Sequence, residues 1–117
     1  HLSGMADIEF KEIDESIFDL LDRVRKSPQI YLAGEISLRQ LNAFVGGYQS
    51  GMSRVCYCLR DQKLFDSFHD WVAKKLSFSG STSGWCNMIL ATSKSDEKAY
   101  HRFFELLDEF RKENDPT

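Results

Sequence analysis

The stretch "SPQIYLAGEISLRQLNAFVGGYQSG" (residues 27–51) decides the fold class, because it sets a helix start signal against a pair of glycines. Ser37 and Gln40 have the spacing of a capping box, which marks the first turn of a helix. Apolar residues then recur at three- and four-residue steps along one side: Leu38, Leu41, Phe44, Val45 and Tyr48. Because Tyr48 keeps this phase, the pattern predicts a helix that continues through Gly46–Gly47.

Two glycines inside a helix need a reason, because each costs about 1 kcal/mol relative to alanine. We expect the missing side chains to let another helix pack closely against Gly46–Gly47. A bulky residue at either position would then destabilise the protein by overpacking. The helix is expected to end near Gly51, and a helix that ends at Gly46 is the alternative.

Apolar spacing predicts four more helices. One runs from about Asp14 to Lys26 and is ended by Pro28, one runs from Asp61 to Leu76, a short one follows Trp85, and the last is capped by Ser95. The segment "RVCYCL" (residues 54–59) fits a short strand, a helical turn or an extended link equally well. The chain is therefore predicted to be all-α, a single compact domain of about five helices.

The limits of this domain follow from the start of the chain and from its composition. Residues 1–4, "HLSG", precede a methionine and resemble the remnant of an expression tag, so residues 5–117 are expected to form the helical domain. A chain of 117 residues that is 42% hydrophobic can bury a core. Its apolar runs are too short to span a bilayer, so we expect a cytoplasmic protein with no membrane partner.

The cysteines offer a possible metal site. Cys56 and Cys58, with His69 or His101, would supply zinc ligands, but zinc sites usually use matched cysteine pairs two to four residues apart. Three cysteines without a framework spacing favour free thiols in a reducing compartment. We therefore predict no metal and no cofactor.

Catalytic patterns are weak. No nucleophile, P-loop, dinucleotide-binding or zinc-helix motif occurs in the sequence. His69 and His101 could act as an acid–base pair, but each also fits an amphipathic helix. The Ser/Gly loop at residues 77–84 lacks the lysine of a phosphate-binding loop and is interpreted as a linker. We expect a protein that is not an enzyme.

Acidic residues dominate the N-terminal segment, where they form either a solvated helix face or a patch that attracts a basic partner. The net charge of −3 and the pI near 5.6 argue against nucleic-acid binding but permit a basic protein partner. The candidate partner-binding residues, chosen on charge alone, are Asp7, Glu9, Glu12, Asp14, Glu15, Asp19 and Asp22.

The sequence resembles a family of small bacterial proteins over most of its length. The likeness rests on the spacing of Pro28, Tyr31, Leu32, Ser37, Leu38, Leu41, Phe44, Gly47 and Tyr48. The later segments "FDSFHDWVAKKL", "GWCNMIL" and "SDEKAYHRFFELLDEFRK" are similar to the family's remaining helices. The family comprises immunity proteins of contact-dependent growth inhibition and related polymorphic toxin systems.

The resemblance implies a role that periodicity does not supply. An immunity protein binds a cognate toxin domain and blocks its active site, without catalysis or a cofactor. A nuclease toxin would present a basic surface, because it must hold a phosphate backbone. The alternatives are a helical adaptor or regulatory module unrelated to toxins, and a small hydrolase that uses His69 and His101.

Overall fold

The computed structural model describes residues 9–79 and 84–114, which form one mostly helical domain, as predicted. The elements in chain order are β1 (Lys11–Ser16), α1 (Ile17–Lys26), α2 (Pro28–Tyr31), α3 (Leu38–Arg54), β2 (Tyr57–Arg60), α4 (Gln62–Asp66), α5 (Phe68–Lys75), α6 (Gly84–Ala91) and α7 (Asp96–Glu113). The predicted tag remnant at residues 1–4 and the acid at Asp7 lie outside the described residues.

Helix α3 passes through the glycine pair, which confirms the prediction from its apolar phase. The Ser37 side chain caps it by accepting a hydrogen bond from the Gln40 N–H at 3.1 Å. The rings of Phe44 and Tyr48 lie 6.0 Å apart on the side that packs against the core. The helix ends at Arg54, about one turn beyond the predicted end.

The predicted close packing at the glycines is wrong. Gly46 and Gly47 both lie on the exposed side of α3, and a Cβ atom built on either would meet nothing within 4 Å. A Cβ atom added at either position would therefore touch no other part of the protein. The overpacking expected for a bulky residue does not apply, because no neighbouring helix is in contact with either Cβ position.

The first helix begins later than predicted, at Ile17 instead of about Asp14. Residues 11–16 form strand β1 instead, which pairs in parallel with β2 and thereby identifies part of the ambiguous 54–59 segment as a strand. Ser16 marks the change, because its side chain accepts a hydrogen bond from the Phe18 N–H at 3.2 Å. A helix over residues 11–16 would also have had only one large apolar side chain, that of Ile13, to pack against the core.

The helix predicted from Asp61 to Leu76 is divided at Ser67 into α4 and α5. The Ser67 hydroxyl donates to the Leu64 carbonyl at 2.6 Å, which is the local side-chain bond by which serine competes with regular helix. The apolar phase survives the break, because Phe65 and Phe68 are both buried.

The core is built around aromatic rings from α4, α5, α6 and α7. Phe68 is fully buried, and its ring centroid lies 5.6 Å from Phe103 and 5.2 Å from Phe110, in edge-to-face geometry. The inner face of α7 is formed by five residues that are all buried: Tyr100, Phe103, Phe104, Leu107 and Phe110. Within the described ranges, no helix has both the length and the apolar character needed to cross a membrane.

Candidate functional site

The outer face of β1 exposes carboxylates. Side chains alternate along a strand, and Ile13 and Glu15 of β1 turn towards the helices. Glu12 and Asp14 therefore face outward, and Glu9 is exposed just before the strand. No described side chain forms an ion pair or hydrogen bond with these three carboxylates, so their charges are available to a partner.

Three other predicted acids form ion pairs or hydrogen bonds with arginines of the same chain. Asp19 faces Arg60 at 3.6 Å, and Asp22 accepts a hydrogen bond from Arg111 at 2.7 Å. Glu15 forms an ion pair with Arg23. The structure thus divides the predicted set into exposed acids on β1 and acids that connect α1 to β1, β2 and α7.

Glu15 belongs to a connected cluster of side chains. The hydrogen bond from Arg23 lowers the pKa of Glu15 and outweighs the rise caused by burial; the charge of Arg23 and a hydrogen bond from Tyr48 lower it further. The Tyr48 hydroxyl donates to Glu15 at 3.3 Å, and Phe44 packs between Tyr48 and Tyr31, with ring centroids 6.0 and 5.7 Å away. Glu15 is thus a structural link between β1 and α3 and is not free to meet a partner.

Large apolar side chains are exposed beside the acids. Phe10, Val55 and Tyr57 are 52%, 62% and 40% exposed. They share one end of the strand pair, because Lys11 pairs with Tyr57 and its N–H donates to the Cys56 carbonyl at 2.9 Å. Most large apolar side chains of this protein are buried, so this group is distinctive.

A groove of about 500 Å³ continues from this end of the strands towards α4. Phe10 and Glu12 line one part of it, and Leu59, Gln62 and Asp66 line another. We call the exposed residues in this part of the strand pair the strand surface: Glu9, Phe10, Glu12, Asp14, Val55 and Tyr57. Of these, Phe10 and Glu12 line the groove. The acidic and apolar residues of the strand surface together suit a protein partner. Charge raises the rate of association, and apolar contacts lower the rate of dissociation.

The two histidines are not brought into one pocket. His69 lines a depression beside α3 and α6, whereas His101 lines a separate one on α7 with Lys94, Lys98 and Arg102. An acid–base pair must reach the same reacting group, which two separate depressions do not permit.

The cysteines are free and occupy three environments: Cys56 is exposed, Cys58 half-buried and Cys86 buried. Burial raises the pKa of Cys86, with a smaller lowering by Arg39. Over residues 9–79 and 84–114, no three His, Cys, Asp or Glu side chains are grouped as metal ligands.

The prediction from charge alone identified the acids of the strand surface but missed its apolar residues. The signal lay in "RVCYCL" (residues 54–59), whose apolar residues do not alternate cleanly. Val55 is exposed in the turn after α3, and Tyr57 is exposed at the start of β2. Pairing with β1 then placed Phe10 at the same end of the strand pair, which no local pattern could indicate. Comparison with protein families, with characterised proteins and with solved structures finds no match to this chain.

Proposed function

We propose that this chain is an immunity protein, which binds a cognate bacterial toxin domain in the cytoplasm and covers its active site. The observation that carries the proposal is the strand surface, where acids that form no ion pair with the described side chains occur in the same part of the strand pair as exposed apolar side chains. The toxin class comes from the resemblance of residues 27–48 and of the later helices to immunity proteins.

Both halves of the strand surface suit this task. A toxin that escapes its inhibitor is lethal, so the complex must form quickly and dissociate slowly. Exposed carboxylates raise the association rate towards a basic surface, and aromatic side chains provide the buried contacts that slow dissociation. A nuclease toxin would offer such a basic surface, and the acidic side chains would lie where its substrate's phosphates bind.

The second candidate is a helical adaptor that binds a basic protein unrelated to toxins. It uses the same strand surface, so the surface does not separate the two candidates. Gene order does: a toxin reading frame directly upstream favours immunity. The His-dependent hydrolase is disfavoured, because His69 and His101 line separate depressions.

The test uses the toxin domain encoded directly upstream of this gene. The purified protein should bind that domain in a one-to-one titration and abolish its activity. Toxin that remains fully active with excess protein would refute the immunity role, and binding without inhibition would favour the adaptor.

Two single charge reversals then test the surface. Glu12→Lys, on β1, should slow association several-fold, whereas Glu35→Lys, an exposed acid outside the strand surface, should leave the rate nearly unchanged. Equal rates for both variants would place the interface elsewhere on the protein.

A further inference from the structure

A second depression lies beside the exposed glycines. It has a volume of about 220 Å³ and is lined by residues of α3, α4, α5 and α6. Six of its lining residues matter here, and we call the depression they form the Gly46 pocket: Asn42, Gly46, Gln49, Asp66, His69 and Trp85.

The fold gives no reason for glycine at position 46. Its backbone is helical, it lies on the exposed side of α3, and an added Cβ would meet nothing within 4 Å. Alanine would stabilise the helix, because it has a much higher helix propensity than glycine. Glycine does let a ligand approach the backbone closely. Gly47 shares the exposure, but only Gly46 lines the pocket.

The pocket carries a carboxylate without a cationic partner. Asp66 accepts a hydrogen bond from the neutral Gln62 side chain at 2.9 Å. No described lysine or arginine forms an ion pair with it, although Lys63 lies one turn earlier on α4. Amide oxygens of Asn42 and Gln49 are further acceptors at the rim. The pocket therefore favours a positively charged hydrogen-bond donor.

An aromatic ring completes the pocket. Trp85 is half-buried and held by its neighbours, with ring centroids 4.8 Å from Phe103 and 6.1 Å from both Phe65 and Phe68. A tryptophan face attracts cations, most often arginine. A guanidinium is planar, stacks on aromatic rings and presents five donors, whereas the lysine ammonium is a compact point charge.

We propose that the Gly46 pocket receives an arginine side chain of the partner, with its guanidinium against Trp85 and hydrogen-bonded to Asp66. The inference deepens the proposed function and rests on it for the partner's identity, a basic toxin domain. Asp66 also lines the groove beside the strand surface, so one partner can contact both sites.

The pocket is first tested without the toxin. N-acetyl-arginine amide is titrated into the protein while the indole N–H resonances are followed by NMR. The Trp85 signal should shift, and that of Trp71, whose indole donates to Glu113 at 3.0 Å outside the pocket, should not. The citrulline analogue, of similar shape but neutral, should shift neither, and Asp66→Asn should remove the response. A static Trp85 signal up to the solubility limit, or equal shifts with citrulline, overturns the proposal.

Two matched variants then test the pocket in the complex. Gly46→Leu fills it, whereas Gly47→Leu places the same side chain on the adjacent exposed position. Both should melt at or above the wild-type temperature, because leucine has the higher helix propensity. Gly46→Leu should weaken toxin binding at least about tenfold, as loss of a central anchor does, and Gly47→Leu far less. Equal affinities would overturn the proposal.

The experiments distinguish failure of the proposed function from failure of the arginine site. If the upstream toxin does not bind the wild-type protein, the proposed function fails, while the arginine titration still decides whether the pocket binds a guanidinium. If the toxin is bound and inhibited but Gly46→Leu has no effect, immunity stands and the arginine site is wrong.

Discussion

Replacing Asp96 should weaken two helices at once, because this residue of α7 caps α3. Its carboxylate accepts hydrogen bonds from the Ser37 hydroxyl at 2.5 Å, from the Leu38 N–H at 2.7 Å and from the Arg39 N–H at 3.2 Å. The first N–H groups of a helix have no partner within the helix. Leu38 is fully buried, so water cannot easily replace the carboxylate at its N–H.

The expected loss for Asp96→Ala follows from these contacts. Loss of an N-cap typically costs about 0.5–2 kcal/mol, and hydrogen bonds to charged groups contribute about 1.5–3 kcal/mol. Asp96 is only partly buried, so solvent screening reduces the electrostatic share. We therefore expect a loss of about 2 kcal/mol in the free energy of unfolding, or roughly 6–12 °C in Tm.

The loss should depend on pH. Burial alone would raise the pKa of Asp96, but the hydrogen bonds from Ser37, Arg39 and Leu38 more than offset it, so the pKa lies below its ordinary value. A depressed carboxyl pKa gives stability that is fully present above the unfolded pKa, about 3.9, and is lost as pH falls through the folded value. The stability gap between wild type and Asp96→Ala should thus be constant near neutrality and shrink below about pH 4.

The assay is urea unfolding of both proteins between neutral and acidic pH, followed by circular dichroism. Glu97→Ala is the matched control, since Glu97 is an exposed acid in the same first turn and interacts chiefly with the helix dipole. It should lose less than about 1 kcal/mol. An equal loss in the two variants, or a gap that widens on acidification, would refute the capping argument.

Three further predictions test other parts of the structure. Gly47→Ala should stabilise the protein by about 0.5–1 kcal/mol, which thermal unfolding measures; a destabilised variant would contradict the exposed position of this face. Phe68→Ala, at the centre of the aromatic core, should cost about 3–5 kcal/mol, whereas Phe10→Ala, on the exposed strand surface, should cost far less in urea unfolding; similar losses would contradict this division. Glu12→Lys with Asp14→Lys should slow association with the toxin most at low salt, and stopped-flow rates with a salt-independent difference would argue against electrostatic steering.

Local sequence patterns were sufficient for most of the helices. The caps at Ser37 and Ser95, the stripe that begins at Ile17 and the apolar phase around Gly46–Gly47 all act within a few residues. Helix signals of this kind depend on neighbouring side chains and on the free N–H groups of the first turn, which the sequence displays directly.

The strands and the surface they form were decided only by the tertiary structure. Residues 11–16 carry an acidic pattern that also suits the start of a helix, and residues 54–59 fit several conformations. Residues 11–16 and residues 57–60 become strands because each supplies hydrogen bonds to the other, across more than forty residues of chain. The fold also pairs Glu15 with Arg23, eight residues away, and Asp19 with the distant Arg60, and so determines which acids remain exposed. Charge is a property of the residue, but whether a charge is free depends on which side chains the fold places beside it.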